Sequence, residues 1–255
     1  MEMEQDKLGH NFLARLGKAH LRPGGRVAND WLIANGDFNK EKKVLNIACN
    51  SGDTAIALAT KFGCNVTGID LDEEALEKAR HTVTENKKVS DLVEFVQGDI
   101  IQLPFSDNQF DIIVNEVMLT LLPLEMKQQA LTEYLRVLKP NGLLLTHDIM
   151  LETKDEAEDV IAELEDVMNA TIAPLTKSEW KENFKQCGFR NVDTFSGEIS
   201  LFSPKGLIDY QGFAGVLKII GRALKTKNHK SFIKMLKAFR DAENKLEFIA
   251  ICSQK

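Results

Sequence analysis

The chain has 255 residues, a net charge of −6 from 32 Lys and Arg against 38 Asp and Glu, and a hydrophobic share of 44%. That apolar share excludes a disordered chain, and 16 glycines with 4 cysteines exclude the collagen-like and disulfide-stapled classes. The mildly acidic total argues against a general polyanion binder, and Cys49, Cys64, Cys187 and Cys252 are too scattered to form a C-x-x-C zinc or redox motif.

The opening residues Met1-Glu2-Met3-Glu4-Gln5-Asp6-Lys7 are acidic, the reverse of a signal peptide. No apolar run approaches the roughly 18 residues that cross a bilayer, so the expected location is the cytoplasm. Residues 1–42 predict a helical cap, in which Leu21-Arg22-Pro23-Gly24-Gly25 forms a rigid turn between two helical stretches.

From Lys43 onward, short apolar runs alternate with helix-length amphipathic segments. The run Val44-Leu45-Asn46-Ile47-Ala48-Cys49 leads into a Ser51-Gly52 turn, and Asp53 or Thr54 is placed to cap the following helix. A second run, Asn65-Val66-Thr67-Gly68-Ile69-Asp70, precedes a helix that ends near Asn86. Val93-Glu94-Phe95-Val96 is the third and Phe110-Asp111-Ile112-Ile113-Val114-Asn115 the fourth. A helix carrying Leu131, Tyr134, Leu135 and Leu138 follows, ended by Lys139-Pro140-Asn141-Gly142, with Leu143-Leu144-Leu145-Thr146 as the fifth strand. Strands apolar on both faces and separated by helices predict a parallel sheet covered on both sides, a doubly wound α/β domain.

Residues 152–166 then hold eight acids against Lys154, with Val160, Ile161, Leu164 and Val167 as an apolar stripe; this predicts a solvated helix. Thr176-Lys177-Ser178-Glu179 reads as a capping box, and strands are expected near residues 192–201 and 248–252. Between them, residues 203–245 carry ten basic side chains and three acids on two amphipathic helical stretches. A lid over the site is the expected role of this insertion, its outer charge serving solvation.

In an open parallel sheet, ligands sit beyond the carboxyl ends of the strands where strand order reverses. The turn at residues 46–52 is therefore the first place to look, since Ala48 and Gly52 let a ligand approach and Asn50 tolerates positive φ. Asp70, ending the second strand, has the acceptors for a ribose diol. One glycine in the turn is too few for a pyrophosphate cradle, which disfavours a nicotinamide-dependent reductase.

Five blocks in order, V-L-N-I-A-C-N-S-G, G-I-D-L-D, Q-G-D-I-I-Q-L-P-F, F-D-I-I-V-N-E and L-K-P-N-G, resemble the class I S-adenosylmethionine-dependent methyltransferases, most closely the small-molecule branch of methyltransferase type 11. The resemblance spans residues 44–148 and implies a seven-stranded, mostly parallel Rossmann-like core formed by residues 43–202 and 246–255. It implies a single methyltransferase domain over residues 1–255 that uses S-adenosylmethionine and releases S-adenosylhomocysteine. Residue by residue, it implies that the turn 48–52 wraps the methionine portion and Asp70 holds the ribose. Leu71 would lie against the adenine, Asp99 would accept from the adenine amino group, Ile100 would pack on the ring, and Asn115 would line the methionine side. Asn46 stands where the family usually has an acid, and Ala48 and Asn50 where it has glycines, so a charge near the cofactor ammonium is lost and the turn is tightened.

The expected reaction is methyl transfer to a small-molecule acceptor by in-line displacement, with positioning and desolvation supplying most of the acceleration. If a base is used, Glu116, His147 and Asp148 lie at strand ends, and Glu116 and His147 are also candidate acceptor contacts. Arg22 is placed to reach the cofactor carboxylate or the acceptor. No metal is expected, and the sequence leaves the oligomeric state unread. RNA methylation is the alternative that the basic insertion raises, although Asn115-Glu116-Val117-Met118 lacks the Pro-Pro-aromatic signature of base methylation, and nucleic acid is not expected as a partner. A non-catalytic nucleoside-cofactor-binding module is the other alternative.

Overall fold

A computed structural model describes residues 23–154, 157–168, 170–199, 233–234, 237–238, 240–242 and 245–255. Arg22, the first part of the expected N-terminal cap and most of the expected lid at 203–245 lie outside the described residues.

The alternation seen in the sequence becomes α1 (Gly25–Asn35), β1 (Lys43–Ile47), α2 (Asp53–Phe62), β2 (Asn65–Asp70), α3 (Glu73–Glu85), β3 (Val93–Gln97), β4 (Phe110–Glu116), α4 (Leu124–Val137) and β5 (Leu138–Leu151). Then come α5 (Glu158–Met168), the two-residue β6 (Leu175–Thr176), α6 (Lys177–Gln186), β7 (Arg190–Glu198) and β8 (Leu246–Gln254). The strands lie side by side in the order β3-β2-β1-β4-β5-β8-β7, with β6 beside β5. Pairings among β1 to β5 are parallel, and β8 runs antiparallel to both β5 and β7. The order reverses between β1 and β4, which opens a crevice at their carboxyl ends.

Successive side chains on a strand point to opposite faces, so each strand feeds two cores. Leu45, Ile47, Ile113 and Leu144 face Leu131 and Tyr134 of α4 and Trp180 and Phe184 of α6. Val44, Val66, Ile112 and Leu145 face Ala28 and Leu32 of α1, Ala55 and Leu58 of α2, and Leu76 and Ala79 of α3. A third cluster joins Ile149 and Leu151 of β5 to Val160 and Leu164 of α5, with Ala238, Ala242 and Leu246.

Local chemistry sets the helix starts. Asp72 caps α3, its carboxylate accepting from the backbone of Glu74 and Ala75, and Thr176 with Glu179 forms the expected capping box of α6. At α2 the structure departs from the sequence reading: Gly52, with φ of 77°, is the N-cap, while Asp53 and Thr54 lie inside the helix. A left-handed residue is needed to turn the chain upward, and glycine takes that conformation without strain. The fifth strand also runs beyond the expected 143–146: its end reaches Leu151, paired with β8, and its start reaches back to Leu138, opposite Phe110 of β4, so Leu138 opens the strand rather than closing the helix. The acids of α5 are less purely solvated than expected, since Asp166 pairs with Lys234 and Glu163 with Lys237 at 3.5 Å. Among the described residues no helix is long and apolar enough to cross a membrane.

Candidate active site

The turn from β1 into α2 reverses direction within five residues by alternating handedness. Ala48 (φ 47°), Asn50 (φ 46°) and Gly52 (φ 77°) are all left-handed. Only the last is glycine, so Ala48 and Asn50 sit where a Cβ is strained. Hydrogen bonds hold the shape: the Cys49 N–H donates to the Ile69 carbonyl at 3.0 Å and the Gly52 N–H to the Cys49 carbonyl at 2.8 Å. Close passage over β2 requires Gly68, where a Cβ would stand 2.8 Å from Cys49 Sγ. Cys49 is buried and its thiol is pushed up to about 12, by desolvation first and then by the Asp70 charge, so it is an inert packing group.

Asp70 is pinned from two sides. Its Oδ2 accepts the Asn50 N–H at 2.8 Å and its Oδ1 the Asp72 N–H at 3.0 Å, which fixes the carboxylate plane at the end of β2. Beside it Leu71 is 64% exposed, a large apolar side chain left on the surface next to a fixed carboxylate. The backbone of that segment is tied to the end of β3, since Gln97 Nε2 donates to the Leu71 carbonyl at 3.1 Å and the Gly98 N–H to the Asp70 carbonyl at 3.0 Å. Asp99 lies one residue further on, its Oδ1 accepting from Ile101 N–H at 3.1 Å, and Ile100 is buried in the core next to it. The ends of β1, β2 and β3 thus bring together residues 48–52, Asp70, Leu71, Asp99 and Ile100.

Asn46 and Asn115 stand on opposite faces of the sheet. Asn46 shares the Val44 face, and its Oδ1 is buried with no hydrogen-bond partner among the described residues. Asn115 is fully buried on the α4 face, where Tyr134 donates from its hydroxyl to Asn115 Oδ1 at 3.2 Å. Burial pushes the Tyr134 phenol well above its ordinary range, so it stays protonated and acts as the donor. Among the described residues, the amide nitrogen Nδ2 of Asn115 is then left as a buried donor without a partner, as is the hydroxyl of Thr146, its register neighbour on β5. Buried polar groups are nearly always satisfied, so a water or a ligand atom would complete each of these.

The three strand-end candidates separate by face. Glu116 and His147 are register partners. Glu116 Oε2 accepts from the Thr54 hydroxyl at 2.6 Å, in the first turn of α2. His147 is fully buried, and its Nε2 accepts from the Gly24 N–H at 3.1 Å just ahead of α1. Asp148 points the other way, into a polar cluster under the α4 core. Burial raises its carboxyl to about 6, opposed by hydrogen bonds from Thr120 and Ile149 and by the charge of Lys127. Lys127 is itself buried, donating to the carbonyls of Leu122 and, at 2.6 Å, Ala173, and burial lowers its ammonium to about 8.

Sequence reasoning missed Thr54 as a site residue and Lys127 and Tyr134 as buried polar partners. A signal for the last two was present, since residues 127, 130, 131 and 134 share one helical face and two of them are polar.

A methyltransferase domain matches residues 44–142. An uncharacterized protein of Haemophilus influenzae is 54% identical over 253 residues, which span 99% of this chain and 100% of that one. A phosphoethanolamine N-methyltransferase of Plasmodium falciparum is 27% identical over 176 residues, 69% of this chain and 64% of that protein, so the chain spans less than two thirds of that relative. Among solved structures, phosphoethanolamine N-methyltransferase 2 of Haemonchus contortus in complex with S-adenosyl-L-methionine superposes with a TM-score of 0.71 at 17% identity, covering 99% of this chain and 58% of that one.

Proposed function

We propose that this chain, whose residues 44–142 match a methyltransferase domain, is a class I S-adenosylmethionine-dependent methyltransferase that methylates a small-molecule acceptor at the crevice between β1 and β4, with S-adenosylmethionine bound across the ends of β1, β2 and β3. One observation carries the placement: the Asp70 carboxylate, pinned by two backbone N–H groups, is half-buried at the end of β2 beside an exposed Leu71. The residues present fit the cofactor's chemistry. Asp70 supplies acceptors for two ribose hydroxyls, Leu71 and Ile100 supply apolar contact for the adenine, and Asp99 accepts from its amino group. The left-handed turn 48–52 brings backbone close to the methionine portion, and the orphaned donor of Asn115 lies at the inner end of the crevice.

When bound, the cofactor would supply an electrophilic methyl group on a sulfonium, which an acceptor nucleophile would take in line as the methyl–sulfur bond breaks and the thioether of S-adenosylhomocysteine leaves. The protein's task is then to hold the two partners collinear and to keep water out, which favours loss of charge in the transition state. An anchoring role for His147, rather than a basic one, is supported by its Nε2, which accepts a hydrogen bond from the Gly24 N–H, and by its burial from solvent. Asp148 lies on the opposite face and supports α4 through Lys127. Small molecules as the acceptor class are supported by the Plasmodium relative's name. Two of the insertion's basic residues, Lys234 and Lys237, meet acids of α5, which weakens the case for a polyanion surface there.

The test is a transfer assay with methyl-labelled S-adenosylmethionine against panels of small amines, alcohols, thiols and enolisable carbons, with transfer RNA as a parallel arm. Label appearing in a small acceptor at catalytic turnover supports the proposal. Label entering only RNA, or binding with no transfer to any acceptor, would overturn it.

A further inference from the structure

Two carboxylates bracket the β1–α2 turn. Asp70 holds its middle through the Asn50 N–H, and Glu116 holds its far end through the Thr54 hydroxyl at 2.6 Å. Glu116 also has Asn46 as a near neighbour. The register pairs Asn46 with Val114, and alternation puts Val114 and Glu116 on one face, so Asn46 and Glu116 point to the same side. They are two residues apart along the strand direction, about 7 Å. Asn46 is 1% exposed, and its Oδ1 has no hydrogen-bond partner among the described residues.

An orphaned amide oxygen and a carboxylate are both acceptors, so the group they best satisfy is a donor, and the carboxylate favours a cationic one. The methyl donor has one cationic donor group, the α-ammonium, at the opposite end from the ribose that Asp70 fits. We propose that Glu116 is the carboxylate that binds this ammonium, with Asn46 Oδ1 as a neutral second acceptor and Thr54 orienting Glu116. The negative charge that residue 46 does not carry in this chain is thereby supplied from the neighbouring strand. The position against the first turn of α2 suits an anion, because the helix dipole is positive there. The proposal rests on the reading that the cofactor occupies this crevice.

Calorimetric titration with S-adenosylhomocysteine, and with its analogue lacking only the α-amino group, tests it without turnover. Glu116→Gln should weaken S-adenosylhomocysteine binding roughly 10-fold or more and leave the affinity for the des-amino analogue within about two-fold of the unmodified protein's. Thr54→Val should give the same pattern at smaller size, about three-fold. If Glu116→Gln binds S-adenosylhomocysteine as the unmodified protein does, or loses both ligands equally, Glu116 is not the ammonium partner. Failure of the underlying reading has a different mark, because Asp70→Ala would then bind both ligands as tightly as the unmodified protein.

Discussion

Single backbone angles carry much of the site. Ala48 holds φ of 47° in the turn that wraps the methionine portion in our reading, a conformation that costs an L-residue with a Cβ roughly 1–2 kcal/mol. Ala48→Gly should relieve that strain and lose part of the gain to unfolded-chain entropy, for a net stabilisation of about 0.5–1 kcal/mol by urea denaturation. The sequence alone made Asn50 legible as a residue that tolerates positive φ, but left Ala48 as merely small. Strain depends on backbone angles that residue type does not set. Asp148 permits a second prediction at this scale. Its carboxyl titrates near 6 in the folded protein and near 4 when unfolded, because burial penalises the charge. The unfolded chain releases that proton first, so this group lowers stability as pH rises from about 4 to 6, and the loss persists above. Asp148→Asn should therefore compare more favourably with the unmodified protein at pH 8 than at pH 4.5, read from denaturation midpoints at the two pH values. Equal differences at both would show that Asp148 is not desolvated as placed.

The elements were legible where their chemistry is local. The second strand, Asn65–Asp70, and the α6 capping box are found where periodicity and the Thr-x-x-Glu spacing put them. What the chain did not disclose locally depends on pairing across distance. The reach of β5 to Leu151 is set by β8, about a hundred residues away, and β6 exists only because residues 175–176 meet Met150 and Leu151. Lys127 belongs to the same class. It crosses from α4 to the carbonyls of Leu122 and Ala173 and lies 5.8 Å from the Trp180 ring centre, while Trp180 Nε1 donates to the Ile149 carbonyl at 3.1 Å. This one side chain thus ties α4, the segment before α6 and the end of β5. Lys127→Met fills a similar volume but strands two carbonyls and removes the charge facing Asp148, so it should destabilise by about 3 kcal/mol in chemical denaturation. A change below about 0.5 kcal/mol would mean that water replaces the ammonium at no cost.

At the scale of the whole molecule, the sheet order is what turns scattered residues into a site. Asn46, Asp70, Asp99 and Asn115 come from different strands or the loops after them, and the strand order with its reversal between β1 and β4 sets them along the carboxyl-end edge of the sheet, on its two faces. The five sequence blocks made that topology and the place of Asp70 readable. The face of each residue was harder to see: Asn46 and Asn115 look alike in sequence but serve opposite sides of the sheet. A ligand that binds only the folded state raises its stability, by about 2.7 kcal/mol at one hundred times its Kd. With about 2–4 °C per kcal/mol for a chain of this size, saturating S-adenosylhomocysteine should lift Tm by about 8 °C. In our proposal, both the crevice and the turn depend on the Asp70 carboxylate for their use as a cofactor seat. Titration calorimetry of S-adenosylmethionine into the unmodified protein and into Asp70→Ala, each shown to be folded by its own denaturation curve, isolates that dependence. The expected result is a Kd raised roughly 30-fold or more in the variant, the loss of two charge-assisted ribose contacts; equal affinity in a folded variant would contradict the placement of the adenosyl group at the end of β2.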